Sequence, residues 1–247
     1  MGREKWDETV GEAYVFSVAL IGPDGAGKST VSREVQRRLP FPSTMMYMGV
    51  NLEVSALMLP TTRLLLLFKR LRGRRPEMVA SPDPRKEASF RAGLGHKLRN
   101  EIKSAARMAI WISEEWFRQV IAWRDQRSGK VVIFDRHFFC DYYAYDIAGS
   151  QRRPLGNRLH GLLLDRFYPR PDMVIFLDAP AEDLAARKPG ASLDFLERRR
   201  QECLHMAVLF KRFATVDATQ PVEVVVDRIC EEIVGLRTAN AGKEVTI

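Results

Sequence analysis

Tyr14-Val15-Phe16-Ser17-Val18-Ala19-Leu20-Ile21 runs without a break into Gly22-Pro23-Asp24-Gly25-Ala26-Gly27-Lys28-Ser29-Thr30. The first eight residues are apolar and β-branched, the composition of a strand buried on both faces. The next nine fit the phosphate-binding pattern G-x-x-x-x-G-K-[ST], with a third glycine, Gly25, inside the spacer. Lys28 to Leu39 then takes helical spacing, with Val31, Val35 and Leu39 on one face. Strand, glycine loop and helix in this order let backbone N–H groups and a helix N-terminus converge on a polyphosphate. Lys28 is placed to reach the β- and γ-phosphates and the Ser29 hydroxyl to ligate Mg²⁺. The stretch points to a nucleoside triphosphate.

The rest of the chain is compatible with that reading. Its 247 residues suit one large domain, or one domain with a substantial insertion. The net charge of +8 suits a polyanionic ligand. Three widely spaced cysteines, Cys140, Cys203 and Cys230, give neither a disulfide framework nor a zinc site and fit a reducing cytoplasm. No signal peptide is visible before Tyr14, and the longest apolar run, Leu64 to Phe68, is too short to span a bilayer.

Further strands are expected at 44–50, 130–134, 173–177 and 213–216. Helices are expected at 52–72 around Pro60, 94–127, 142–147, 158–167, 182–187, 193–212 and 221–236. Leu64, Leu65, Leu67, Phe68 and Leu71 form an apolar stripe read as core, and Ile110, Trp111, Phe117, Ile121 and Trp123 form the packed side of the long helix. The proline-rich stretch from Gly73 to Arg91 reads as a loop. Strands alternating with helices imply right-handed crossovers and a parallel sheet with helices on both faces. Ligands of such sheets sit at the carboxyl ends of the strands. The loop at Gly22, Asp135-Arg136, Asp178 and the segment after Val216 all fall at such ends.

Phosphoryl transfer asks mainly for positioning and charge neutralisation. Asp135, just past an apolar strand, suits Mg²⁺ or an acceptor hydroxyl, and Arg136 suits a bidentate grip on an acceptor phosphate. Asp178 is a competing carboxylate, either in the magnesium shell or capping a helix. Arg187 and Lys188 before a Pro-Gly turn, with Arg198, Arg199 and Arg200 after it, read as a basic lid over the nucleotide, Arg187 foremost. His137 lies beside Arg136 and is a candidate acceptor contact. Trp111 or Phe138 could wall the acceptor pocket.

These residues resemble thymidylate kinases and their nucleotide-kinase relatives. The loop Gly22 to Thr30 is similar to that family's, Asp135-Arg136-His137 to its D-R-[YH] motif, and Pro171 to Glu182 to its fourth-strand segment. Asp217-Ala218-Thr219-Gln220-Pro221 is similar to the D-A-[ST]-Q-P turn that packs on adenine. Four islands in this order span residues 14 to 236.

The resemblance implies a three-layer α/β/α P-loop kinase with a five-stranded parallel sheet. It implies ATP and Mg²⁺, and γ-phosphoryl transfer to a nucleoside monophosphate, thymidine monophosphate first, or a related small acceptor. Gly22, Asp24, Gly25, Ala26, Gly27, Lys28, Ser29, Thr30, Arg187, Thr219, Gln220 and Pro221 would then bind the nucleotide. Ser29 and Asp135 would hold the metal, and Lys28, Asp135, Arg136 and Arg187 would carry the chemistry. The kinase domain would cover 14–238, with an acceptor region at about 52–127 and a lid at about 187–200. Residues 1–13 would form a flexible lead and 239–247 a tail. A homodimer is implied by analogy; no nucleic acid and no transmembrane segment are expected.

The departures concern the acceptor. R-E-P-G-G-T after the second strand is replaced by Tyr47-Met48-Gly49-Val50-Asn51. An arginine on the helix before the third strand is replaced, counting back from Asp135, by Glu114. S-x-x-A-Y-Q becomes Cys140-Asp141-Tyr142-Tyr143-Ala144-Tyr145-Asp146. Glu114 would repel an anionic acceptor unless Arg63, Arg118 or Arg136 offsets it, or would hydrogen-bond a sugar or amine. The alternative is a nucleotide-gated binding or regulatory protein whose tract Lys69-Arg70-Arg72-Arg74-Arg75 meets nucleic acid, an anionic membrane or a partner.

Overall fold

The computed structural model describes residues 14–49, 57–71, 94–143, 161–163 and 165–241. The strands are β1 (Ser17–Ile21), β2 (Ser43–Tyr47), β3 (Val131–Asp135), β4 (Met173–Asp178) and β5 (Phe213–Asp217). They form one parallel sheet in the order β2-β3-β1-β4-β5, with helices on both sides, as the alternating pattern requires. The helices include α1 (Lys28–Arg38), α2 (Pro60–Leu71), α3 (Leu94–Arg127), α4 (Phe138–Tyr142), α5 (Ala181–Arg187), α6 (Leu193–His205) and α7 (Val222–Ala241), and residues 161–163 and 165–167, within the helix expected at 158–167, are helical as well. A 3-10 turn at Met206–Leu209 ends α6, so the helix expected to reach residue 212 stops earlier. No helix among the described residues is long and apolar enough to cross a membrane.

The described residues divide into two compact units. The first holds 14–45, 124–133 and 171–241; the second holds 46–49, 57–71, 94–123, 134–143, 161–163 and 165–170.

The first unit is built around β1, whose five residues are all buried. Phe16, Leu20, Val31, Val35, Ile175, Leu177, Val226, Ile229 and Ile233 belong to its apolar core. Asp172 fixes the entry to β1 by accepting from the Ser17 N–H at 2.7 Å and its hydroxyl at 2.8 Å. Val132 N–H donates to the Phe16 carbonyl at 3.1 Å. Along β4 and β5 the register sets Asp178 level with Asp217, and Ala218 N–H donates to the Asp178 carbonyl at 2.7 Å. Both carboxylates therefore lie at the ends of neighbouring strands.

The second unit differs in what it buries. The helix expected over 52–72 begins at Pro60, because proline lacks the N–H a helix interior needs and suits the first helical position; residues 52–56 lie outside the described residues. On α2, Leu64, Leu67, Phe68 and Leu71 are exposed, Leu71 by 74%, whereas Thr62 is buried. The expectation that this row is core is therefore wrong for those four. Among the described residues of α3 the buried positions are Glu114, Glu115, Arg118, Gln119, Ala122 and Asp125, at i, i+1, i+4, i+5, i+8 and i+11, the spacing of one helix face. Ile110, Trp111, Phe117, Ile121 and Trp123 are half-buried, and Val120 is exposed. The long helix turns charge inward, and the apolar residues read as its packed side flank that face.

A helix is observed at Phe138–Tyr142; of the helix expected at 142–147, residues 144–147 lie outside the described residues. The lead 1–13, the loop 73–91, residues 158–160 and the end of the tail are likewise outside them. So are Arg72, Arg74 and Arg75 of the basic tract.

Candidate active site

In the first unit, the backbone geometry of the phosphate loop depends on its glycines. Gly22 and Gly25 take φ of 149° and 94°, in the region that costs a side chain about 1–2 kcal/mol. A Cβ at Gly22 would lie 2.7 Å from the Leu177 carbonyl, and one at Gly25 2.6 Å from the Leu184 carbonyl of α5. No side chain could stand at Gly25 unless the Leu184 backbone moved. Gly27 caps α1, which has no acidic residue in its first turn and no side-chain cap, leaving its N-terminus suited to an anion. Lys28 is buried, and its ammonium donates to the carbonyls of Gly22 at 2.8 Å and Pro23 at 2.7 Å. Ser29 and Thr30 are exposed beside it.

The lid cations separate. Arg187 Nη1 donates to the Ala218 carbonyl at 2.8 Å, within the turn that follows β5. Lys188 Nζ pairs with Asp24 of the phosphate loop at 3.2 Å. Arg200 grips Asp178 bidentately, Nε to Oδ1 at 2.5 Å and Nη2 to Oδ2 at 2.9 Å, which raises the guanidinium's pKa. Asp178 thus neither caps a helix nor offers a free carboxylate; Ser192 is the side chain that caps α6. Lys188, not Arg187, is the lid residue whose side chain reaches the loop, a distinction that adjacency in sequence could not make.

In the turn after β5, Asp217 accepts from the Thr219 N–H at 2.9 Å, its hydroxyl at 2.6 Å and Gln220 Nε2 at 3.0 Å. These bonds hold the Asp217 carboxyl below its ordinary pKa. The turn is pre-formed, with Gln220 and Pro221 both exposed.

In the second unit, Asp135 is buried, and its Oδ1 has no hydrogen-bond partner among the described residues. An orphaned carboxylate oxygen is costly unless a cation or donor completes it, so the position fits a metal or its water. Among the described residues no three His, Cys, Asp or Glu gather as a ligand set. Arg136 has φ of 69°, the only positive value at a non-glycine among the described residues, so the backbone bearing it is strained. Met48 N–H donates to the Asp135 carbonyl at 3.0 Å. A Cβ at Gly49 would lie 2.7 Å from Arg136 Cδ and 2.6 Å from the Tyr47 hydroxyl.

His137 does not serve as an acceptor contact. It is buried among Phe134 and Tyr168, with ring centroids at 5.2 and 5.8 Å, and neither nitrogen has a partner among the described residues. Burial lowers its pKa to about 3. Phe138 lies beneath Arg118, 5.4 Å from guanidinium carbon to ring centroid, and the half-buried Trp111 meets Tyr142 at 6.2 Å.

Glu114 faces neither a phosphate nor a sugar. Fully buried, its two oxygens accept from the Leu59 N–H at 3.0 and 3.2 Å, just before α2, and it supports the charge of Arg118. Burial lowers the Arg118 pKa, with Glu114 the foremost of the groups opposing it. Arg118 donates through Nε to the Leu57 carbonyl at 3.2 Å and through Nη1 to the Gly49 carbonyl at 3.1 Å. The sequence signal for this pair was Glu114 and Arg118 at i, i+4, which by itself reads as an ordinary surface helix pair.

Comparison with known proteins agrees with the motifs. The model of the family described as Thymidylate kinase matches residues 61–229, a stretch that starts beyond the phosphate loop. A probable thymidylate kinase of Thermococcus gammatolerans is 35% identical over 118 residues, 44% of this chain and 51% of the relative. One from Thermococcus onnurineus is 33% identical over 106 residues, 39% of this chain and 48% of the relative. The chain spans about half the length of these curated relatives.

Proposed function

Because the chain belongs to the thymidylate kinase family, we propose that it is an ATP-dependent phosphotransferase. It moves the γ-phosphoryl group of ATP to a nucleoside monophosphate or a related small acceptor, with thymidine monophosphate the first candidate. The observation that carries this is the phosphate loop: a buried Lys28 on loop carbonyls, under glycines whose side-chain space is taken by β4 and α5. In the reaction the bond between the γ-phosphorus and its bridging oxygen breaks. A bond from an acceptor oxygen forms, and ADP leaves with the charge.

Each residue has a role in this reading. Lys28 exchanges the carbonyls of Gly22 and Pro23 for β- and γ-phosphate oxygens. Backbone N–H groups from Asp24 to Thr30 cradle the phosphates, and Thr219, Gln220 and Pro221 face the base. Ser29 and Asp135 would hold Mg²⁺, which when bound neutralises phosphate charge. Arg136 grips the acceptor phosphate. Lys188 takes the lid role beside the loop, and Arg187 braces the base turn through Ala218. With ATP as donor, the cytoplasm is the setting this reading implies. The kinase reading is favoured over the regulatory alternative by family membership, and it leaves the basic tract without an assigned role.

The test is a panel of nucleoside monophosphates, nucleosides and phosphorylated sugars supplied with ATP and Mg²⁺, with Lys28→Ala as the blank. Transfer to at least one member, lost in the blank, supports the reading; ATP hydrolysis with no acceptor used by the chain overturns it. Fast turnover of thymidine monophosphate alone would assign the substrate despite the altered acceptor motifs. Pairing as a homodimer belongs to the same reading, supported by the exposed apolar row of α2, which a second copy would cover. Light scattering should give a dimer that Leu67→Asp converts to monomer; an unchanged mass in both would remove the dimer.

A further inference from the structure

We infer that Arg118 and Glu114 form a buried positioning pair that sets the Arg136 side chain for the acceptor. The inference rests on the reading of Arg136 given above. It assigns the pair no contact with substrate.

The two side chains hold three backbone groups. Arg118 Nη1 holds the carbonyl of Gly49, two residues past β2, and Arg118 Nε holds the carbonyl of Leu57, eight residues further along the chain. Glu114 holds the N–H of Leu59, at the start of α2. Two side chains one helical turn apart on α3 therefore fix both flanks of the segment between β2 and α2. A guanidinium suits this task because its planar fork presents separate donors at fixed angles, which an ammonium does not. Both side chains are fully buried, so their geometry is set by packing rather than by solvent.

The fixed point at Gly49 is also what Arg136 packs on. With no room for a Cβ there, the Arg136 stem runs against the bare backbone of Gly49. The neighbouring Met48 N–H holds the Asp135 carbonyl. Arg136 leaves the strand from a strained φ, and the Gly49 backbone is one wall of the path its stem takes. Release of the Gly49 carbonyl frees that wall. A side chain that must meet an acceptor phosphate bidentately is sensitive to displacements of about 1 Å.

The pair also accounts for a departure from the family pattern. A carboxylate at position 114 looked unsuited to an anionic acceptor. Here it compensates Arg118 and caps the chain entering α2, so its charge is spent inside the protein.

The experiment uses the full chain, ATP and the acceptor that turns over best in the panel, thymidine monophosphate being the first tried. Arg118→Lys, Glu114→Gln, Gly49→Ala and the double variant Glu114→Met with Arg118→Met are compared with Arg136→Ala. The double variant strands neither charge, although the Leu59 N–H and the Gly49 and Leu57 carbonyls lose their partners; Arg118→Lys guards against its failing to fold. The expected result is a tenfold or greater rise in acceptor KM for Arg118→Lys, Gly49→Ala and the double variant, with the KM for ATP within twofold. Glu114→Gln, which keeps an oxygen for Leu59 N–H, should retain most of the acceptor affinity. A second readout needs no turnover: the Arg136 Nε–H resonance in a ¹⁵N spectrum should move in Arg118→Lys and in Gly49→Ala alike. Acceptor KM within twofold of the parent in folded Arg118→Lys and in the double variant, or an unmoved Arg136 resonance, overturns the inference. If Arg136→Ala itself leaves acceptor KM unchanged, the assigned role of Arg136 has failed; if only the Arg118 and Gly49 variants are silent, this inference alone has failed.

Discussion

The two units of the chain keep polar groups in opposite places. In the first, the interior is mainly apolar: Phe16, Val18, Leu20, Ile175 and Leu177 are buried, with the buried polar side chains Lys28 and Ser32 at the start of α1. In the second, a fully buried face of α3 carries Glu114, Glu115, Arg118 and Gln119, with His137 and Tyr168 buried in the same unit. An aliphatic core is held by area removed from water and tolerates local change. A buried charged network is held by complementarity, and the loss of one member exposes the desolvation cost of the others. Substitutions at the loop edges of the first unit should thus cost little stability, whereas those on the buried face of α3 should cost more.

The largest effect expected from this contrast is in the second unit. Glu114→Met leaves the Arg118 charge buried without the carboxylate at i−4 and should destabilise by roughly 3–5 kcal/mol in urea unfolding. The double replacement with Arg118→Met should return the part of that loss due to the stranded charge, but not the part due to the Leu59 N–H and the Gly49 and Leu57 carbonyls left without partners. Equal destabilisation by the single and double variants would break the contrast.

Lys28→Ala comes next, as a loss of rate rather than of stability. Removal of a charge aimed at the transferring phosphoryl should lower kcat by roughly 10²–10³-fold, with the melting temperature nearly unchanged. A steep drop in stability instead would show that the ammonium holds the loop closed, which its bonds to Gly22 and Pro23 make a concrete alternative.

His137 gives a pH signature. Its pKa falls from 6.5 to about 3 on folding because it is buried. Above 6.5 it is neutral in both states and adds no pH dependence. Between about 6.5 and 3 the unfolded chain takes up a proton that the folded one refuses. Stability should therefore fall by about 1.4 kcal/mol per pH unit as pH drops through that window. His137→Asn should flatten the acid limb of stability by that slope relative to the parent; parallel limbs would contradict the buried, neutral assignment.

The smallest effect sharpens the contrast from the other side. Val120 lies next to Gln119 on α3 but is 55% exposed. Val120→Ser should change stability by no more than about 0.5 kcal/mol, although the residue it removes is apolar and those around it are charged. A larger loss would mean that this face of the helix is covered in solution.

Some features were legible from local chemistry. The phosphate loop was readable because a glycine-lysine pattern between a buried strand and a helix encodes a backbone conformation directly. The five strands of the parallel sheet were readable because their apolar runs are short, continuous and bounded by turns. The turn at Asp217 to Pro221 was readable as a motif, and its self-bonded geometry supports its being pre-formed. The face of α3 was not legible, since a polar residue on a helix is normally outside. Only partners far along the chain, Leu59 for Glu114 and Gly49 and Leu57 for Arg118, make burial tolerable there.

By itself, then, the sequence determined whatever depends on neighbours in the chain: strand and helix type, the glycine loop, the proline that starts α2, and the motifs of the thymidylate kinase family. Tertiary structure alone decided which of several equivalent side chains meets which partner. It gave Asp178 to Arg200, Lys188 to the loop at Asp24, and Arg187 to the Ala218 carbonyl. It turned the apolar row of α2 outward and a charged face of α3 inward. The physical reason is that hydrophobic periodicity reports how a segment could be buried. Which charges are buried with it depends on the hydrogen-bond partners that distant segments bring, and these have no signature in local spacing.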